Sequence, residues 1–218
     1  MREAFELALD RAGIVQVVMD NEATVGNQWV APTNVFYAKN VPIPKRDIAR
    51  AKALLQEAGV PNPTFTLVTP TTSDAQRIAL VVQAMTREAG FNVKIQSTEF
   101  ATSLNMADKG DFEAYVLAWS GRADPDGNLY SFYACKQPLN YSGYCVPEVD
   151  DLLNQSRTAR DPAERKKVYE QIATRVVAND RPIIYLYHRN WLWAYTPKLT
   201  GVRSIPDGLL RVTGLKLN

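Results

Sequence analysis

Apolar positions along the chain fall into blocks of two different periods. Arg2-Glu3-Ala4-Phe5-Glu6-Leu7-Ala8-Leu9 has the spacing of an amphipathic helix, and Asp10 is placed to cap a second short helix over 11–19. The stretch 20–46 has no period and holds Trp29, Pro32, Pro42 and Pro44. Loops of that length inside a compact domain are functional or pinned to another surface. Helical spacing returns at Ile48, Ala51, Leu55 and Ala58, with Asp47 as the cap and Gly59 as the stop.

Strand and helix patterns then alternate. Phe65-Thr66-Leu67-Val68-Thr69 reads as a half-buried strand, and Ser73 with Gln76 reads as a capping box. The helix it opens carries Ile78, Val81, Val82 and Met85 and closes at Gly90. A second strand over 91–95, a short helix over 100–107 and a third strand over 112–119 complete a βαβαβ order. That order predicts parallel strands joined by right-handed crossovers. Ligands of open parallel sheets sit beyond the carboxyl ends of the strands, where Thr69-Pro70-Thr71-Thr72 and the 119–128 loop fall.

Pro147, followed by Glu148, Asp150 and Asp151, opens a helix carrying Val149, Leu152 and Leu153. Asp161-Pro162-Ala163-Glu164 is a capping box for the longest helix, with Val168, Ile172 and Val176 as its buried face and Tyr169 and Ala173 flanking it. Arg181-Pro182 ends it, and 183–187 is rich in strand formers. Trp191-Leu192-Trp193-Ala194-Tyr195 and 209–217 read as extended; Trp191, Trp193 and Tyr195 alternate at strand period as one core face or, left exposed, as a docking surface for a missing partner domain.

At 218 residues, 46% hydrophobic and 22% charged, the chain is long enough for a substantial core. The net charge of +2 is dispersed, with no basic stripe, so nucleic acid is not an expected partner. No apolar run approaches the ~20 residues of a membrane helix. Nor does the start have the pattern of a signal peptide. Cys135 and Cys145 are spaced to close a short disulfide loop or to stand as two free thiols. A bridge would imply an oxidising compartment. With one histidine in the chain, a zinc site lacks ligands and no metal or cofactor is expected.

The densest chemistry is in Trp119-Ser120-Gly121-Arg122-Ala123-Asp124-Pro125-Asp126-Gly127-Asn128. Trp119 offers a stacking face and Arg122 a forked donor for a carboxylate or phosphate. Competing readings are a strand-end core aromatic for Trp119 and an internal salt bridge from Arg122 to Asp124 or Asp126. The two aspartates could be a carboxylate pair for hydrolysis, a fragment of a calcium loop, or caps on backbone N–H groups. Tyr141 and Tyr144 lie between the cysteines, either held toward a cleft or packed on their own loop. Trp29 is a core anchor or a ligand contact. His188 is a satisfied structural histidine or a general base. Nucleophile, phosphate-loop and metalloprotease motifs are absent from the sequence.

Taken in order, several segments resemble the family-5 extracytoplasmic solute-binding proteins of ABC importers, the dipeptide and oligopeptide binders. They are Ala4-Phe5 with Ala8-Leu9-Asp10-Arg11, the 47–55 helix with Ala58-Gly59, Trp119-Ser120-Gly121 with Asp124-Pro125-Asp126, and Asn140-Tyr141-Ser142-Gly143-Tyr144 followed by 147–153. The resemblance implies an α/β fold: one lobe of a type II periplasmic binding protein, with a mostly parallel sheet flanked by helices and the first lobe largely missing. Residues 1–188 would be the second lobe, and 189–218 strands returning to the first. It further implies a periplasmic, non-enzymatic protein that binds a peptide-like or small polar ligand and partners the importer's membrane subunits. Trp119, Ser120, Gly121, Arg122, Asp124, Asp126, Tyr141 and Trp29 would form the ligand site, with Trp119 and Tyr141 stacking. Dipeptide binders place an aspartate just after the Trp-x-Gly triplet to meet the peptide's amino group. Arg122 stands there, so either Asp124 takes the amine or the ligand presents an anion. Two alternatives remain, a ligand-free interaction module and a carboxylate-dependent hydrolase.

Overall fold

The structure, a computed structural model, describes residues 1–205 and 207–218. Helices α1 (Arg2–Leu7) and α2 (Arg11–Met19) form as their pattern requires, with the Asp10 carboxylate accepting from the Gly13 N–H. Strand β1 (Ala23–Val25) follows, then the irregular stretch and helix α3 (Ile48–Glu57), whose Asp47 cap accepts from Arg50 N–H. The long segment is pinned by buried amides. Gln28 mimics a backbone pair with Ala38, donating to its carbonyl at 2.8 Å and accepting from its N–H at 3.0 Å. Asn27 donates to Pro42 and accepts from the Tyr37 hydroxyl.

The βαβαβ unit consists of β2 (Thr64–Pro70), α4 (Ser73–Arg87), β3 (Asn92–Thr98), α5 (Phe100–Lys109) and β4 (Ala114–Tyr115). The sheet is parallel, in the order β3-β2-β4. Two expectations need correction. The third strand covers only Ala114–Tyr115, because it lies at the sheet edge and only Leu67 and Val68 pair with it. The Ser73 capping box does not form: the ladder begins one residue earlier, with Gln76 N–H on the Thr72 carbonyl, so Ser73 is already helical.

Helices α6 (Asp126–Tyr133), α7 (Pro147–Thr158) and α8 (Pro162–Ala173) follow. Pro147 and Pro162 stand in first turns, where a missing N–H costs nothing. The last helical run is not one long α-helix: α8 widens into a π-helical segment, Thr174–Asp180. The 15-residue α4 is the longer α-helix.

Two buried clusters result. A sheet core gathers Leu9, Ile14, Leu55, Leu67, Val82 and Phe91; a helical core gathers Trp29, Leu129, Tyr133, Leu153, Tyr169 and Ile172. The predicted 183–187 strand is only partly formed. Strand β5 (Tyr187–Arg189) pairs antiparallel with β1, whereas 183–186 has no ladder. It still alternates like a strand: Ile183 and Tyr185 pack on the helical core, Ile184 and Leu186 on the sheet core.

The C-terminal segment carries one small antiparallel pair, β6 (Leu199–Thr200) with β7 (Lys216–Leu217). Trp191, Leu192, Trp193 and Tyr195 lie on irregular chain and stay exposed, so the strand expected over 191–195 does not form, and of 209–217 only Lys216–Leu217 is strand.

Candidate functional site

Beyond β4 the chain runs into the 119–128 loop, at the carboxyl end of the parallel strands. Gly121 turns it with φ of +76°, a conformation that side chains disfavour. Buried Asn128, at the start of α6, then clamps the loop: its amide oxygen accepts from Arg122 N–H at 2.7 Å and its nitrogen donates to the Arg122 carbonyl at 2.8 Å.

Trp119 is 46% exposed, so it is not a core residue, and its ring meets Phe132 edge-on at 5.1 Å. The Arg122 guanidinium lies 5.3 Å from the Trp119 ring and donates to Ser120 Oγ and the Gly121 carbonyl. Among the described residues it has no salt bridge to a carboxylate. Asp207, on the C-terminal segment, is near enough to feel it. Its carboxyl is held down chiefly by the Leu209 N–H, with Arg211 and then Arg122 adding to the effect.

Both loop aspartates are engaged from other helices. Asp124 accepts two parallel bonds from Arg165 of α8, each 2.8 Å, and its Oδ1 also accepts from the Asp126 N–H. The backbone-capping reading of Asp124 therefore holds. Asp126 faces Arg157 of α7 at 3.3 Å, and the Arg157 guanidinium stacks on Tyr130 at 4.2 Å. The predicted alternative of a bridge from Arg122 to either aspartate is not what forms. Nor does this arrangement suit acid chemistry, which needs a carboxyl held protonated. Hydrogen bonding from Arg165 holds the Asp124 carboxyl below its usual range.

A group whose folded pKa is depressed stabilises the fold above its unfolded pKa, and that stability is lost as pH falls through the folded value. The loop should therefore loosen only in acid below the ordinary aspartate value of about 4. An acid titration of Trp119 fluorescence, with the other tryptophans replaced, should show a midpoint below that value. A midpoint at the ordinary value would contradict the Arg165 pairing.

The cysteines form a disulfide across ten residues of sequence, which decides against free thiols. It closes a loop from which two half-buried tyrosines reach outward. Tyr144 donates to Asp180 at the end of the π-segment. Tyr141 lies against Asp108 of α5 and near Tyr115, and burial followed by the Asp108 carboxylate pushes its hydroxyl up to about 12. Neither tyrosine packs merely on its own loop. Tyr141 and Trp119 thus have different neighbours, α5 for one and α6 for the other.

Trp29 is 5% exposed in the helical core, edge-on to Tyr133, and its indole Nε1 has no partner among the described residues. The core-anchor alternative describes its setting. Thr69, at the other carboxyl end, is fully buried. His188 is partly buried against Gly26, where a Cβ would lie 2.4 Å from its ring. Its Nε2 has no partner among the described residues, so the expected structural histidine is only partly satisfied. Burial lowers its pKa, partly offset by the Gln28 backbone, and favours the neutral ring.

Sequence reading missed Arg157 and Arg165. Arg165 lies 41 residues from Asp124, and no local pattern signals such a pairing.

Comparison with known proteins gives the chain its family and its fold relatives. The family profile described as bacterial extracellular solute-binding proteins, family 5 middle, matches residues 1–140. The oligopeptide-binding protein AppA of Bacillus subtilis is 30% identical over 94% of this chain, which covers 41% of that protein. AppA in complex with a nonapeptide superposes with a TM-score of 0.82 at 30% identity, over 95% of this chain and 45% of AppA. The periplasmic binding protein DppA of Helicobacter pylori, in complex with the peptide STSA, gives 0.81 at 25% identity, over 99% of this chain and 43% of DppA. The chain therefore spans about two-fifths of the length of the relatives it matches.

Proposed function

The chain belongs to family 5 of the bacterial extracellular solute-binding proteins, and on that premise we propose that it is part of the substrate-binding component of an ABC importer. Residues 1–188 are its second lobe, and 189–218 return to a first lobe. The exposed Trp191, Leu192, Trp193 and Tyr195 support that return, since a first lobe would cover them. The protein works outside the cytoplasm, hands its ligand to membrane subunits, and does no chemistry on it. The disulfide agrees with that location.

One observation carries the ligand reading: Trp119 presents an exposed aromatic ring beside the Arg122 guanidinium, which forms no salt bridge among the described residues, while both loop aspartates are held by arginines. The relatives named as peptide binders support a peptide-like solute. Arg122, standing where dipeptide binders carry an amine-binding aspartate, favours a ligand that offers a carboxylate or another anion there. Ser120 and Gly121 shape the turn beneath it, and Tyr141, held by the disulfide loop against α5, is a separate candidate contact.

The test compares two tripeptides by titration calorimetry, one acetylated at its amino end and one amidated at its carboxyl end. The wild type should favour the acetylated, anionic peptide by about tenfold, the equivalent of one good charged contact. Arg122→Asp should reverse the order. An unchanged preference would sink the assignment.

A further inference from the structure

Asp124 looks like a ligand counter-ion in the sequence but is occupied in the fold. Arg165 presents its fork to both carboxylate oxygens, donates from Nε to the Ser156 carbonyl at the end of α7, and lies 5.4 Å from each of the Phe36 and Tyr169 rings. Its side chain is 19% exposed, against 56% for Asp124. The arginine is thus the fixed partner, seated among two helices and the long segment, and the aspartate is the one that docks. A second tie runs parallel to it, from the Asn34 amide to the Ala123 carbonyl at 3.2 Å. Two residues earlier in the loop, Arg122 points back over Trp119.

We propose that Arg165 is a positioning and specificity-determining residue: it neutralises Asp124 and fixes the loop, so that Trp119 and Arg122 are presented as an anion-selective face. Its specificity half rests on the ligand reading above; its positioning half does not. If Arg165 is removed, the Asp124 carboxylate loses its guanidinium partner and keeps only the Asp126 N–H, two residues along the loop from Arg122. A site selective for anions then gains a place for an ammonium group. Fork geometry and the two flanking rings make arginine the required residue, since a lysine cannot grip both oxygens.

Arg165→Met and Asp124→Asn separate positioning from charge, and both are studied in the 218-residue chain as it stands. Methionine keeps much of the apolar stem against Phe36 and Tyr169. Should it fail to fold, Asp124→Asn removes the same pair while leaving Arg165 packed. Both variants should shift the Trp119 indole N–H resonance, identified by its loss in Trp119→Phe. Binding of the two tripeptides should then diverge. Arg165→Met should gain about tenfold for the amidated, amine-bearing peptide relative to the acetylated one. Asp124→Asn, with no carboxylate to release, should gain nothing.

An unmoved indole resonance in both variants would overturn the positioning role. Identical ligand-charge preferences in the two variants would overturn the specificity role. If the wild type binds neither peptide, the ligand reading of the protein falls and the specificity half falls with it. The indole resonance then decides the positioning half alone.

Discussion

Glu6→Gln should lower the free energy of unfolding by about 3–5 kcal/mol, the cost of leaving a buried charge without its partner. Glu6 is 4% exposed and serves two arginines. Its Oε1 accepts from Arg11 Nη2 at 2.5 Å, and its Oε2 from Arg181 Nε at 2.7 Å. Arg11 is 3% exposed and donates again to the Tyr185 carbonyl, yet its Nη1 has no partner among the described residues. A neutral amide at position 6 would leave the buried Arg11 guanidinium without its anion and Arg181 with only Glu3, at 4.0 Å.

Stability of a domain totals roughly 5–15 kcal/mol, so the loss is a large share of it. Urea denaturation should show a lower midpoint with an unchanged slope. Replacing all three charges together, with Glu6→Leu, Arg11→Met and Arg181→Met, should recover most of the loss, because apolar groups of similar size need no partner. A midpoint that does not move in Glu6→Gln would contradict the burial described here.

Loss of the Cys135–Cys145 bridge should cost about 2–4 kcal/mol, chiefly by freeing the unfolded chain. Denaturation of the wild type with and without reductant measures it directly. The Cys135→Ser, Cys145→Ser double variant should match the reduced wild type and ignore the reductant. Coincident curves for oxidised and reduced wild type would contradict the prediction. The bridge has a folded-state role as well. Asn140, inside the loop, donates to the Ala134 and Tyr144 carbonyls and accepts from the Tyr144 N–H. Opening the bridge loosens the frame from which Tyr141 and Tyr144 reach α5 and the π-segment.

Local chemistry was legible in the sequence where an aspartate precedes a helix, though not at Ser73, where Thr72 takes the cap position. Asp10, Asp47 and Asp161 cap the helices their spacing assigns them. The order of strands and helices predicted the parallel sheet, because a crossover helix leaves few other arrangements. Strand lengths were less legible. Hydrophobic runs such as 112–119 and 183–187 have β-forming residues, but a ladder also needs a neighbouring strand, and composition does not encode where neighbours end. The irregularity at 174–180 could not be seen because its apolar spacing still fits an ordinary helix.

At the candidate site, the loop and its charged residues stood out from their mixture of types. Their pairings did not. Whether Asp124 meets Arg122 or Arg165 depends on where α8 packs, and that is settled by Val168, Ile172 and Val176 inserting into the helical core. Trp29 and Trp119 look alike in a sequence, yet one is 5% and the other 46% exposed. Burial of an aromatic outside a periodic segment is decided by distant neighbours.

The alternation of 183–186 between the two cores has a mechanical consequence. Every second side chain anchors on a different side, so this four-residue segment works like a stitch through two layers of cloth. The layers cannot slide past each other without pulling Ile183 and Tyr185 out of one or Ile184 and Leu186 out of the other. Force arriving through the β1–β5 ribbon is shared by both layers at once. That ribbon, three residue pairs long, continues directly from the stitch.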